Sequence, residues 1–283
     1  MGFVLFLNRY FFKMFYLKKY STFAIIFIKH KRFDNHYRIK INVKSIITIL
    51  GPTATGKTRV AALLAKHLDA EIVSADSRQI YKRMDIGTGK DLKDYTIEGV
   101  KIPFHLIDIE EPGKVNTVFN YQKLAQQAIL DIQQRNKPVI LCGGSGMYIE
   151  ALLQGYQSTP IPSIIFGIKG DRDEVRRRIT IRLKERLANG MIEEVQALIN
   201  EGISTEQLYK YGLEYRYVML YLTQHLDYNT MFQKLNTAIH QFSKRQMTWF
   251  RKMERAGFVI HWLNLEWSEE EKMNFLKNSI FAI

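Results

Sequence analysis

From Ile46 onward, short apolar runs alternate with longer stretches whose apolar positions recur every three or four residues. The short runs predict strands over residues 46–50, 71–74, 104–109, 139–142 and 164–168, with another over 258–263. Between them the longer period predicts helices over 58–68, 117–136 and 147–153. Strand and helix in alternation is the pattern of a parallel sheet covered on both faces. After Gly167 the character changes. A helical run over 171–200 carries Val175, Ile179, Leu183 and Leu187 at four-residue steps, one apolar stripe. A second long helix over 229–255 sets Leu235, Ile239, Phe242 and Trp249 on its apolar side.

The first strand runs straight into GPTATGKT, residues 51–58, which in turn opens the first helix. In this position the pattern is a phosphate-binding loop. Its glycines let the backbone wrap a polyphosphate, and successive loop amides point at it with the helix N-terminus. Lys57 adds a mobile positive charge and Thr58 a hydroxyl suited to Mg²⁺. The loop identifies a phosphate-bearing ligand, ATP included, without saying which.

Composition changes this picture in one respect. The chain has 41 Lys and Arg against 28 Asp and Glu, a net charge of +13. Residues 1–44 hold ten of the bases and a single acid, Asp34, so most of the excess lies outside the alternating region. That stretch is also rich in aromatic residues, and its apolar runs, such as 20–28, are about half as long as a membrane span. It reads as an extension outside the core. The single cysteine, Cys142, lies in a strand-like run and reads as a small buried residue in a reducing, cytoplasmic setting. His105, beside an apolar run, reads as structural, and no His/Cys cluster has the spacing of a zinc site. On the helix after Gly167, Arg176, Arg177, Arg178, Arg182, Lys184 and Arg186 lie off the apolar stripe. They form either a solvated basic face or a set of arginines that approach phosphates.

Asp76 follows the second strand, at the sheet edge where open α/β folds bind ligands. From position alone it could hold Mg²⁺, cap a helix or act as a general base.

Five segments together are more specific than the loop alone. They are GPTATGKT, SADSRQIYKRMDIGTGK (74–90), HLIDIEEP (105–112), CGGSGMYIEALLQG (142–155) and KRQMTWFRK (244–252). In order and spacing they resemble the tRNA dimethylallyltransferases, also called tRNA isopentenyltransferases. The resemblance implies an α/β, P-loop NTPase-like three-layer fold, a parallel sheet with helices on both faces around a nucleotide-kinase-like core. It implies transfer of a dimethylallyl group from dimethylallyl diphosphate to N6 of the adenosine next to the tRNA anticodon, with Mg²⁺ as cofactor. On that reading Asp76 is the general base, and Ser145 stands where the family commonly has threonine, bonding near the leaving oxygen and Asp76. Gly51, Thr53, Ala54, Thr55, Gly56, Lys57 and Thr58 hold the diphosphate, joined by Arg216, whose surrounding Tyr211-Gly212-Leu213-Glu214 departs from the commoner family wording. Asp76, Ser77, Arg78 and Gln79 meet the target adenosine, and Lys244, Arg245 and Arg251 match family positions. The tRNA anticodon stem-loop and dimethylallyl diphosphate are the implied partners of a monomer that needs no membrane.

One departure is large. The family places several dozen residues, including a lobe that grips the anticodon stem-loop, between LLQG and the next strand, where this chain has only 156–163. The expected organisation is an extension over 1–44, a core over 45–265 without that lobe, and a C-terminal tail over 266–283. The alternative functions are a P-loop small-molecule or nucleotide kinase, and a non-catalytic remnant that binds diphosphate or tRNA.

Overall fold

The computed structural model describes residues 45–114, 116–156 and 158–281, so the extension over 1–44 lies outside the described residues. Six strands build one parallel sheet: β1 (Ile46–Leu50), β2 (Glu71–Ser74), β5 (Phe104–His105), β6 (Val139–Gly143), β7 (Ser163–Lys169) and β8 (Ile260–Asn264). Their order is β5-β2-β6-β1-β7-β8. A small antiparallel hairpin, β3 (Thr96–Ile97) with β4 (Val100–Lys101), stands apart. Because β1 lies between β6 and β7, its C-terminal end opens at the point where the strand order reverses.

Period-2 alternation divides the strand residues between two cores. Ile47, Ile49, Ile72, Ile140 and Phe166 face one cluster, and Ile46, Leu50, Val73, Leu141 and Ile165 the other. The first cluster is closed by α1 (Lys57–Leu68), α4 (Arg172–Ala188), α5 (Met191–Asn200), α6 (Thr205–Lys210), α7 (Leu213–Leu222) and α9 (Glu269–Phe281). The second is closed by α2 (Val118–Gln134) and α3 (Gly146–Gln154). The 28-residue α8 (Tyr228–Arg255) serves both. Leu235 and Ile239 pack in the first cluster, Phe250 and Met253 in the second. The segment between, with Phe242 and Gln246, is thereby carried past the ligand edge of the sheet. Three layers, helix on sheet on helix, follow as expected.

Three expectations change. The strand over 104–109 ends at His105, because Leu106 and Asp108 have positive φ of 64° and 56° and turn the chain out of the ladder. The helix over 171–200 is two helices, broken where Gly190 takes φ 96° as the N-cap of α5. The segment set apart as a tail contains α9, whose Leu276 is fully buried in the first core, so the packed unit continues past residue 265. Between α3 and β7 the chain crosses in a short connection, from Gly155, the left-handed C-cap of α3, to Ser163.

Candidate active site

The loop after β1 is shaped by two left-handed residues, Ala54 (φ 63°) and Gly56 (φ 73°). Gly56 is the N-cap of α1, so Lys57 and Thr58 begin the helix with their amides free of intrahelical partners. Thr55 turns inward, is buried, and donates to the Pro52 carbonyl at 2.9 Å. Gln246 of α8 accepts from the Thr53 amide at 2.9 Å and donates to the Gly144 carbonyl at 2.9 Å. The loop is therefore pinned from above by α8 as well as from below by β1. The turn after β6 has no space to spare: a Cβ on Gly143 would overlap the Ala75 carbonyl, and one on Gly144 would stand 2.5 Å from Gln246 Nε2.

A cleft of about 530 Å³ opens over this loop. Thr53, Ala54, Gly56, Lys57 and Thr58 form its floor, and Asp76, Arg78 and Gln79 one wall. Asp76 accepts from the Arg78 amide at 3.0 Å, which fixes its carboxylate at the strand end. Ser74 Oγ donates to Gln79 Oε1 at 3.2 Å, and Gln79 Nε2 donates to the Gly89 carbonyl at 3.1 Å, so Gln79 holds the segment in shape.

The opposite wall answers a question the sequence left open. Arg178, Arg182 and Arg186, one helical turn apart on α4, line the cleft. Arg177, on another face, pairs with Glu174 at 2.7 Å at the surface, and Arg176 meets Asp173 at 3.8 Å. Half of the basic set thus lines the cleft, Arg178 while also pairing with Glu174 at 2.7 Å, and the rest is solvated. Arg182 pairs with Asp91. Burial, with help from neighbouring Arg182, pulls the Arg186 guanidinium down to about 10. Burial likewise pulls the Lys57 ammonium below its usual range, against the attraction of Cys142 and Asp76. Cations whose charge is penalised by burial are what a bound anion would stabilise.

Two expected site residues stand elsewhere. The Ser145 hydroxyl accepts from the Ser77 amide at 3.1 Å, so it orients the residue after Asp76 and is hydrogen-bonded to Ser77, with no bond to Asp76 itself. The Arg216 guanidinium stacks on the Tyr209 ring, 3.8 Å from its centroid, with Nε buried and unbonded. It does not line the cleft, where arginines of α4 form the wall opposite Asp76. Ser77 is next to the cleft without lining it. Lys244, Arg245 and Arg251 are exposed on α8, while Gln246 between them, which sequence reasoning passed over, is the residue that reaches the loop. His105 bonds Glu71 Oε2 at 2.7 Å at the sheet edge, a structural role. The Cys142 thiol is buried and pushed up to about 12 by that burial, which leaves it unreactive.

For a divalent cation the cleft offers little protein coordination. Among the described residues no three His, Cys, Asp or Glu side chains gather to hold a metal ion. Thr58 lines the cleft, and such a donor set fits an ion that takes most of its ligands from substrate phosphate oxygens and water. No helix among the described residues is long and apolar enough to cross a membrane.

The family model "IPP transferase" matches residues 79–163 and 157–253. The chain is 43% identical over 298 aligned positions to a tRNA dimethylallyltransferase 2 of Bacteroides fragilis, covering 83% of this chain and 97% of that one. To a tRNA dimethylallyltransferase 2 of Porphyromonas gingivalis it is 47% identical over 282 positions, with 77% and 93% covered. Among solved structures it superposes on a tRNA delta(2)-isopentenylpyrophosphate transferase of Staphylococcus epidermidis with a TM-score of 0.76 at 25% identity, covering 84% of this chain and 99% of that one. A eukaryotic dimethylallyltransferase solved acting on tRNA shares the fold, with a TM-score of 0.72 at 17% identity and 84% and 80% covered.

Proposed function

The chain belongs to the IPP transferase family, and from that premise we propose that it transfers a dimethylallyl group from dimethylallyl diphosphate to tRNA. The acceptor in this reading is N6 of the adenosine next to the anticodon. The observation that carries it is Asp76 facing, across one cleft, a floor of phosphate-loop amides and a wall of cations.

The chemistry assigns a task to each side. The exocyclic amine of adenine is a weak nucleophile because its lone pair is delocalised into the ring. As its nitrogen bonds the prenyl C1, the C1–O bond breaks and its electron pair leaves with the diphosphate. The amine proton passes to the Asp76 carboxylate, a general-base step of the kind that contributes about 10²–10⁴ in rate. Lys57, Arg182 and the loop amides stabilise the charge that accumulates on the diphosphate, each such donor worth about 10²–10³. Ser145 acts one residue removed, through Ser77, to hold the strand end on which Asp76 sits. Mg²⁺, held by Thr58 and phosphate oxygens, would supply further charge neutralisation there. Ser77, Arg78 and Gln79 form the edge on which the flipped-out base would rest.

The short connection between α3 and β7 belongs to the same proposal. The 298 aligned positions with the Bacteroides fragilis relative exceed the 83% of 283 residues, about 235, that this chain contributes. About 60 positions of that relative therefore have no counterpart, and the two family-model matches meet at 157–163. These facts support a chain that lacks the clamp lobe; that it works without it, as a monomer in the cytoplasm, is part of the same proposal. Calorimetry with dimethylallyl diphosphate and with ATP tests the donor: the diphosphate ester binds in preference. Tight ATP binding with none of the prenyl donor would favour the kinase reading instead.

A further inference from the structure

Glu214, in the first turn of α7, has 3% of its surface exposed and does not line the cleft. Its carboxylate nevertheless faces two guanidinium groups that do. Oε2 accepts from Arg78 Nη1 at 2.7 Å, and Oε1 accepts from Arg186 Nη1 at 3.5 Å. The backbone makes room for both. A Cβ on Gly212 (φ 134°) would stand 2.9 Å from Arg78 Cδ, and one on Gly89 (φ 69°) would overlap the Arg186 guanidinium. Two glycines, on two different loops, leave open the positions these side chains fill.

Arg78 has a second carboxylate beside it. Its Nε lies 3.9 Å from Asp76 Oδ1, the outer limit of an ion pair, and the Phe242 ring covers its guanidinium at 5.5 Å. Arg78 is thus shared unequally, bonded closely to Glu214 and loosely to Asp76. Burial works against its charge, and Glu214 first, then Asp76, restore it above the ordinary arginine range. A proton acceptor locked in a close arginine pair is a poor base, so which carboxylate takes Arg78 bears directly on the chemistry.

We propose that Glu214 is a positioning residue for the transfer reaction: it holds Arg78 off Asp76 and tempers the positive charge around the leaving diphosphate. The proposal rests on the prenyl-transfer reading above. Without the Glu214 charge, Arg78 swings to Asp76 and occupies the base. At the same time the cleft, with Arg186 no longer compensated, becomes more attractive to an anion. Turnover and anion affinity therefore move in opposite directions, which loss of packing would not produce.

The test is Glu214→Gln in the full chain, with inorganic diphosphate binding by calorimetry and steady-state transfer measured side by side. The expected result is kcat lower by at least about tenfold, short of removing the base outright, with inorganic diphosphate bound several-fold more tightly. Glu214→Asp, which keeps the charge, recovers part of kcat. An unchanged kcat overturns the proposal, as does a joint fall of kcat and diphosphate affinity. If the single variant does not fold, Arg186→Gln/Glu214→Gln removes one charge of each sign. Low kcat with ordinary diphosphate affinity supports the proposal there, and wild-type kcat overturns it. If the wild-type protein binds diphosphate and transfers nothing, the prenyl-transfer reading fails. The diphosphate arm then still decides whether Glu214 tempers the cleft.

Discussion

Gln246, midway along α8, accepts a hydrogen bond from the Thr53 amide of the phosphate loop at 2.9 Å. Its amide donates in turn to the Gly144 carbonyl, so one buried side chain ties together the loop after β1 and the turn after β6. Gln246→Ala leaves a buried donor and a buried acceptor without partners, a cost of about 1–3 kcal/mol. The melting temperature falls by several degrees, and KM for the diphosphate donor rises because the loop amides lose their fixed aim. Thermal denaturation and donor titration measure both. A variant with wild-type melting and KM would mean the bridge contributes nothing.

The two arginine placements make opposite predictions. Arg182 lines the cleft, whereas Arg216 stacks on Tyr209 outside it. Arg182→Gln weakens inorganic diphosphate binding and lowers kcat by about 10²-fold, the scale of one lost charge-stabilising donor. Arg216→Gln leaves diphosphate binding as it was and affects stability alone. Calorimetry on both variants, with the reverse ranking, would return Arg216 to the site.

Gly143 tests the close approach of β6 to the segment that carries Asp76. The Cβ of Gly143→Ala meets the Ala75 carbonyl, a backbone atom with no rotamer to yield. Overpacking of this kind costs about 1–3 kcal/mol. A lower melting temperature is expected together with reduced turnover, because relief of the clash moves Ala75 and hence Asp76. Stability and activity equal to wild type would show that the strands are further apart.

Glu71 predicts a pH dependence away from the site. Hydrogen bonding from Arg135 lowers its pKa most, burial opposes, and His105 adds to the lowering. A carboxylate depressed in the folded state contributes stability that is complete above its unfolded value of about 4.3 and is lost as pH falls through the lower folded value. Glu71→Gln is therefore less stable than wild type near neutral pH, and the difference narrows on acidification below about pH 4. Thermal melts of both proteins from neutral to acid pH check this. A gap that widens with acid would have the wrong sign.

Much of this was legible in the chain. The strand runs at 46–50 and 71–74 coincide with β1 and β2, since buried parallel strands are continuous apolar segments and leave little ambiguity. The stripe Val175, Ile179, Leu183 and Leu187 is buried along α4 as its spacing requires. Other features were hidden for physical reasons. The α7 sequence is apolar nearly all round and shows no stripe, so neither the helix nor the direction of Arg216 could be read from it. The capping box of Ser204 and Gln207 at the start of α6 was a readable signal that went unused. Which arginines of α4 face the cleft depends on how that helix is rotated against the sheet, a tertiary fact. Gln246 lies inside the segment KRQMTWFRK, yet a neutral amide among Lys244, Arg245 and Arg251 draws attention only once its two partners are in view.

The central claim is that Asp76 and the phosphate loop perform prenyl transfer to RNA in a chain this short. The most direct measurement incubates the full chain with dimethylallyl diphosphate, Mg²⁺ and an anticodon stem-loop RNA, and reads the RNA by mass spectrometry. One added dimethylallyl group is expected on the adenosine next to the anticodon, with release of diphosphate and a rate lower by about 10²–10⁴ in Asp76→Asn. No transfer at saturating donor and RNA, or transfer at full rate in Asp76→Asn, would contradict it.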